Sequence, residues 1–398
     1  MYNYISNSDK NKKILLDRFI KYTKIWSESS EKNADKGIFP STPQQFDFAG
    51  ILEKDLKEIG MQQVLITEDC YVYSYLPASE GLEALEPVLF LAHLDTVDEV
   101  TGKNVNPQIK SPAGFVDDPT DVIITTDGNT LLGADDKAGI CAIMSAVEFL
   151  AGNDEIKHRA VEVIFSPDEE TGHGMDKVPL NLIKSKIAYT VDGGEEGELE
   201  SECFDAWACK VSFTGHSCHT GSAKQDGMIN AVKMASSFVK MLPYRKSPET
   251  TEKYQGFISP MDINGSVENA SVQLLLRAFT ESEIEKQKKI ILKLVKKIER
   301  KFKGKVSVSY THQYMNMKQK MDEHPQVVQN LKKAYNCAGV KIIQKPIRGG
   351  TDGSRLTQLG IPTPNIFTGA HNFHSRDEWC SLNQMSKSAD VIINLLME

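Results

Sequence analysis

The first thing missing is a long apolar run at the start: MYNYISNSDKNKKILLDRF contains nothing resembling a secretory leader or a membrane anchor. Paired cysteines are missing too. The seven cysteines (70, 141, 203, 209, 218, 337 and 380) are odd in number and scattered, with no CxxC pair, as expected of reduced thiols in a cytoplasm. Basic excess is absent, with 46 Lys+Arg against 54 Asp+Glu and a net charge of −8, which argues against general nucleic-acid binding. There is no internal repeat, no low-complexity tract and no HExxH, so a single-zinc protease of that class is unsupported. What remains is a chain of 398 residues, 40% hydrophobic and 25% charged, an ordinary globular composition long enough for two domains.

Short β-rich runs end in polar residues at 87–95 (PVLFLAHLD), 160–170 (AVEVIFSPDEE), 186–194 (KIAYTVDGG) and 361–369 (IPTPNIFTG). Helical patterns lie near 136–151 and 322–338. The alternation predicts an α/β domain with a largely parallel or mixed sheet flanked by helices, and ligands of such sheets gather at the carboxyl ends of strands. Between about 205 and 315 the order changes to strand 206–215, helix 227–242, strands near 256–267 and 271–279, helix 281–303 and strand 306–312. This β-α-β-β-α-β order is ferredoxin-like. It predicts an inserted α+β domain over 205–316 within a first domain of 1–204 and 317–398. The lysine-rich helix 281–303 has an apolar stripe (Ile284, Ile291, Leu294, Val295, Ile298, Phe302), as expected of a helix packed on a sheet.

The His, Asp and Glu residues collect at the predicted strand ends. In LLGADDKAGI, one aspartate before the helix is explained by capping. Capping does not explain its neighbour, because adjacent carboxylates in an apolar setting repel unless a cation neutralises them. In HLD, His93 and Asp95 point to the same side of an extended segment, so the carboxylate can orient an imidazole that binds a metal. A satisfied core histidine is the plainer alternative. Glu169 and Glu170 in PDEE could equally be an exposed turn, Asp192 in YTVDGG ends another strand, and His374 sits in NFHSRDEW. Together these residues suit a pair of divalent cations such as zinc, one carboxylate bridging both.

The segments HLDTV, KNVNPQ, ITTDGNTLLGADDKAGI, SPDEE, YTVDGG with GELE, and KPIRGGTDG resemble the peptidase T group. These are the tripeptide aminopeptidases of a di-zinc exopeptidase family that also holds carboxypeptidases and acylamino-acid deacylases. The resemblance runs from about residue 85 to the end. It implies a di-zinc catalytic domain with a ferredoxin-like lid, and two Zn2+ per chain. His93 and Asp192 would bind one ion, Glu170 and His374 the other, with Asp135 bridging across a cis Asp135–Asp136 bond. Asp95 would orient His93, Glu169 would be the general base, and His219 of GHSCHTG would donate to the oxyanion. Arg277 and Arg348 would hold the substrate carboxylate.

The chain departs from the group's pattern at Thr220, where proline is usual, at Ala278, where aspartate is usual, and in a shorter segment between KNVNPQ and TTDG. His173 offers a competing ligand role, and Glu195 and Glu196 could meet a substrate amine or be surface charges. The expected activity is removal of the N-terminal residue from tripeptides, with the inserted domain closing over the peptide. A dipeptidase or N-acyl amino acid deacylase, and a non-catalytic peptide-binding paralogue, are the alternatives. The expected partners are small peptides, with no nucleic acid or membrane; a homodimer is left open.

Overall fold

Runs such as PVLFLA and AVEVIF are apolar at every position, as strands buried on both faces must be. The computed structural model, which describes residues 2–397, builds them into a mixed eight-stranded sheet. Its centre is parallel: Val161–Ser166, Val88–His93, Ala188–Gly193 and Asn365–Phe367, side by side in that order. Alternate residues of one strand serve two apolar layers. Val88, Phe90 and Ala92 join the layer holding Ile140, Ile143 and Val147 of helix Ala134–Ala151, whereas Leu89 and Leu91 join Tyr71, Ile164 and Leu356. Each such side chain stabilises the fold by about 1.5–3 kcal/mol relative to exposure.

Glycine decides how closely helix Ala134–Ala151 approaches the sheet. A Cβ at Gly139 would stand 1.8 Å from the carbonyl oxygen of Val191, so glycine alone lets the helix start beside Asp192. Helices Asp9–Thr23 and Gln44–Glu58, for which no sequence expectation was drawn, bury Leu15, Phe19, Phe48 and Leu52 in the same layer as Phe90. The helix expected over 322–338 is two, Lys318–Glu323 and Pro325–Cys337, because Pro325 lacks the N–H that would continue the first and suits the opening turn of the second. Near the chain's end, Ala370–His371 and Trp379–Ser381 pair as a hairpin within a small antiparallel sheet, whose other strands are Ile123–Thr125 and Gln108–Lys110.

These elements belong to one compact unit, Met1–Ser201, Met317–Lys345 and Thr351–Glu398. The second unit is Glu202–Asn316 with Pro346–Gly350, the latter attached through a bridge between Cys203 and Ile347. It holds an antiparallel sheet in the order Phe257–Gly265, Asn269–Ala278, Asp205–Thr214, Lys305–Tyr314, with helices Ala231–Met241 and Glu281–Phe302. The β-α-β-β-α-β order is the ferredoxin-like one. Ile284, Ile291, Leu294, Val295 and Ile298 of the lysine-rich helix are buried in its core. The helix expected from 227 begins at Ala231, where the Asn230 side chain accepts from the Lys233 N–H. Cys70, Cys141, Cys209, Cys218, Cys337 and Cys380 are free, and among the described residues no helix is long and apolar enough to cross a membrane.

Candidate metal centre

The aspartate pair divides its labour. The Asp135–Asp136 peptide bond is cis, and both residues have non-helical backbone angles ahead of the helix proper. Asp136, 1% exposed, turns inward: one oxygen accepts from the Gly139 N–H at 3.2 Å, a capping bond, and the other from the His93 N–H at 3.2 Å. Asp135 points the other way, with Oδ1 2.9 Å from His93 Nε2 and Oδ2 3.2 Å from His374 Nε2. Two donor groups meet at this one carboxylate: His93, Asp135 and Asp192 on one side, Asp135, Glu170 and His374 on the other, the ligand atoms of each within 4.8 Å of one another. Asp192 Oδ1 lies 3.6 Å from His93 Nε2, and Glu170 Oε1 lies 3.1 Å from His374 Nε2.

Electrostatics make this a place for cations. Burial raises the Glu170 carboxyl to about 8, with Asp135 adding to it, and raises Asp192 to about 6 despite the nearby His93. The neighbouring Asp135 and Glu170 carboxylates push His374 up to about 11. Burial lowers His93, but Asp135, Asp192 and Asp95 outweigh it and raise the imidazole well above its ordinary value. Glu170 Oε1 is buried without a hydrogen-bond partner, although His374 Nε2 lies 3.1 Å away. A buried orphan oxygen, more carboxylates than imidazoles, and an all-oxygen-and-nitrogen donor set fit two divalent cations of the zinc type.

The turn after Val161–Ser166 takes Glu169 and Glu170 off the strand. Asp168 adopts a left-handed φ of 56°, so Glu169 and Glu170 lie in a turn and not on the strand. The Asp95 carboxylate accepts both of their N–H groups, Glu169 at 3.0 Å on Oδ1 and Glu170 at 3.2 Å on Oδ2. His93 Nδ1 donates instead to the backbone carbonyl of Asp95 at 3.0 Å, its carboxylate being 3.5 Å off. A carbonyl can only accept, so this bond fixes the tautomer and leaves Nε2 for a ligand. The Glu169 carboxylate has no hydrogen-bond partner among the described residues, and burial raises it well above the ordinary carboxylate range.

The remaining predicted residues are in the second unit. His219 is exposed, its Nδ1 accepting from the Gly221 N–H at 3.1 Å. Arg277 lies against the Tyr314 ring and donates to the Leu276 carbonyl at 3.0 Å. Arg348 donates to the carbonyls of Lys253 and Gln255 at 2.7 and 2.8 Å and stacks over Phe204. Both guanidinium groups are held by carbonyls and rings. His173 Nδ1 lies 2.6 Å from Asp176 Oδ2, and Glu196 Oε1 lies 2.6 Å from Lys387 Nζ.

Three further acids lie in quoted motifs but were given no role there. Asp168 accepts from Ser41 and Gln45, which ties the turn to the N-terminal segment. Buried Asp352 bonds Ser166 at the end of the PDEE strand. Glu378 binds the loop before Asp135. Asp168 and Glu378 stand beside other acids, in SPDEE and SRDEW, and Asp352 is a lone acid in GGTDG, so none stands out from its neighbours.

A model of Peptidase family M20/M25/M40 matches residues 89–398. The chain belongs to peptidase family M20/M25/M40. Peptidase T of Clostridium perfringens is 40% identical over 400 residues, covering 96% of this chain and 97% of that protein, so the likeness to that protein reaches well before residue 85. A tripeptidase structure from Staphylococcus aureus shares the fold at a TM-score of 0.80 and 20% identity, covering 97% of this chain and 98% of that one. A Bacillus subtilis structure described as a dinuclear metal binding peptidase of family M20 does so at 0.69 and 13%, covering 98% of each.

Proposed function

We propose that this M20/M25/M40 peptidase is a zinc-dependent aminopeptidase that releases the N-terminal residue from tripeptides. The observation that carries the reading is the bridging geometry of Asp135, one oxygen toward His93 and the other toward His374. His93 and Asp192 would hold one Zn2+, Glu170 and His374 the other. When bound, such a pair lowers the pKa of water and polarises a carbonyl. Glu169, free of hydrogen bonds and raised by burial, takes the proton of the attacking water and passes it to the leaving amine. Asp95 holds Glu169 and Glu170 in register for these tasks. His219 serves as oxyanion donor and Arg277 and Arg348 as carboxylate-binding groups, with the second unit as the lid that carries them. The tripeptide specificity rests on the peptidase T likeness at 40% identity, and the scattered cysteines, without CxxC pairs, fit a cytoplasmic setting.

The test compares a free tripeptide with its N-acetylated form on chelator-stripped and zinc-reloaded protein. The proposal expects cleavage only after reloading, and only of the free peptide. Equal cleavage of the acetylated peptide would favour the deacylase alternative.

A further inference from the structure

Glu378 is 1% exposed and makes no contact that a surface acid would make. Its Oε2 accepts the N–H groups of Leu132 at 2.7 Å and Gly133 at 2.8 Å, and its Oε1 accepts that of Asp135 at 3.1 Å. All three donors belong to LLGAD, the loop that ends in the bridging aspartate. Gly133 is left-handed (φ 74°) and Asp135 non-helical, so helix geometry gives these N–H groups no partner. Capping is not what Glu378 supplies, since Asp136 already bonds Gly139 at the start of the helix proper.

Glu378 also sits four residues after His374, in the turn of the hairpin formed by Ala370–His371 and Trp379–Ser381. One turn therefore carries a predicted ligand of one ion and grips the backbone of the carboxylate shared by both. We propose that Glu378 is a positioning residue of the metal centre, holding Asp135 so that its second oxygen meets His374. This rests on the two-ion reading of the site. In E378Q the amide oxygen can keep Leu132 and Gly133, but its NH2 then faces the Asp135 N–H, donor against donor.

The test is zinc binding by full-length protein in zinc-buffered solution, read by metal content per chain. Asp121 provides the control: it is another buried carboxylate, it bonds Ser381 and Asn383 of the same C-terminal region, and it does not touch Asp135. The expected result is that E378Q needs roughly 10–100-fold more free zinc to hold two ions, the range seen when partners behind a metal ligand are lost. D121N should bind as the wild type does, even where its melting temperature falls. Unchanged zinc affinity in E378Q, or equal weakening in D121N, would overturn the proposal. If E378Q does not fold, E378D keeps both oxygens on a shorter stem and is expected to weaken zinc binding about 10-fold; wild-type affinity in it would also overturn the proposal. A wild-type chain that holds no zinc would instead defeat the two-ion reading itself.

Discussion

Asp135 and Asp136 are neighbours with opposite surroundings: one faces two imidazoles, the other two backbone N–H groups. That difference follows from the angles at the start of the helix, which send the two side chains apart. Glu169 and Glu170 show the same division. Glu170 is drawn to His374, whereas the Glu169 carboxylate has no hydrogen-bond partner among the described residues. Replacing Glu169 by glutamine should lower kcat by roughly 10²–10⁴-fold. Bound zinc should stay at the wild-type level, because the residue is not one of the predicted ligands. Steady-state rates with metal analysis check this, and an active E169Q would mean that another group takes the proton.

Among the elements, the decisive one is the turn at 168–170, which depends on the carboxylate of Asp95 from the neighbouring strand. In D95N one of the two acceptors becomes an NH2 facing an N–H, and the turn loses half its anchor. The expected effect is a fall in kcat of about 10-fold or more with little change in KM, read from steady-state kinetics. Unchanged kcat would show that the turn holds itself. This element also shows where sequence reading stops. HLD, DD, PDEE and VDGG were legible because each places its chemistry at the end of an apolar strand or the start of an apolar helix. The bonds that aim them were not, because they join Asp95 to residues 169–170 and Glu378 to residues 132–135 and end on backbone N–H groups. Any residue type offers such a donor, so no side-chain pattern marks it. For the same reason Asp95 could be seen as a partner of His93 but not as the anchor of the glutamates.

At the scale of the whole molecule, the first unit keeps a reserve of buried acid beyond the candidate ligands. Glu200 is buried in strand Glu198–Glu200, and Asn365 links it to the Asp192 strand by donating to Glu200 at 2.8 Å and accepting from the Asp192 N–H at 3.0 Å. Burial, then nearby Glu198, raises Glu200 to about 8 from an ordinary 4.5. A carboxyl with a raised folded pKa contributes stability below its unfolded value and loses it as pH climbs through the folded one. Wild-type stability should therefore fall relative to E200Q between about pH 5 and pH 8, with a slope approaching about 1.4 kcal/mol per pH unit. Urea unfolding of chelator-treated protein at both pH values measures it, and parallel stabilities would contradict the assignment.

The central claim concerns what the centre cuts. Zinc-loaded protein would be given a tripeptide of three different residues and the products identified by mass. The account predicts the free first residue and the intact C-terminal dipeptide. Release of the last residue, or no cleavage of the tripeptide alongside hydrolysis of an N-acylated amino acid, would contradict it.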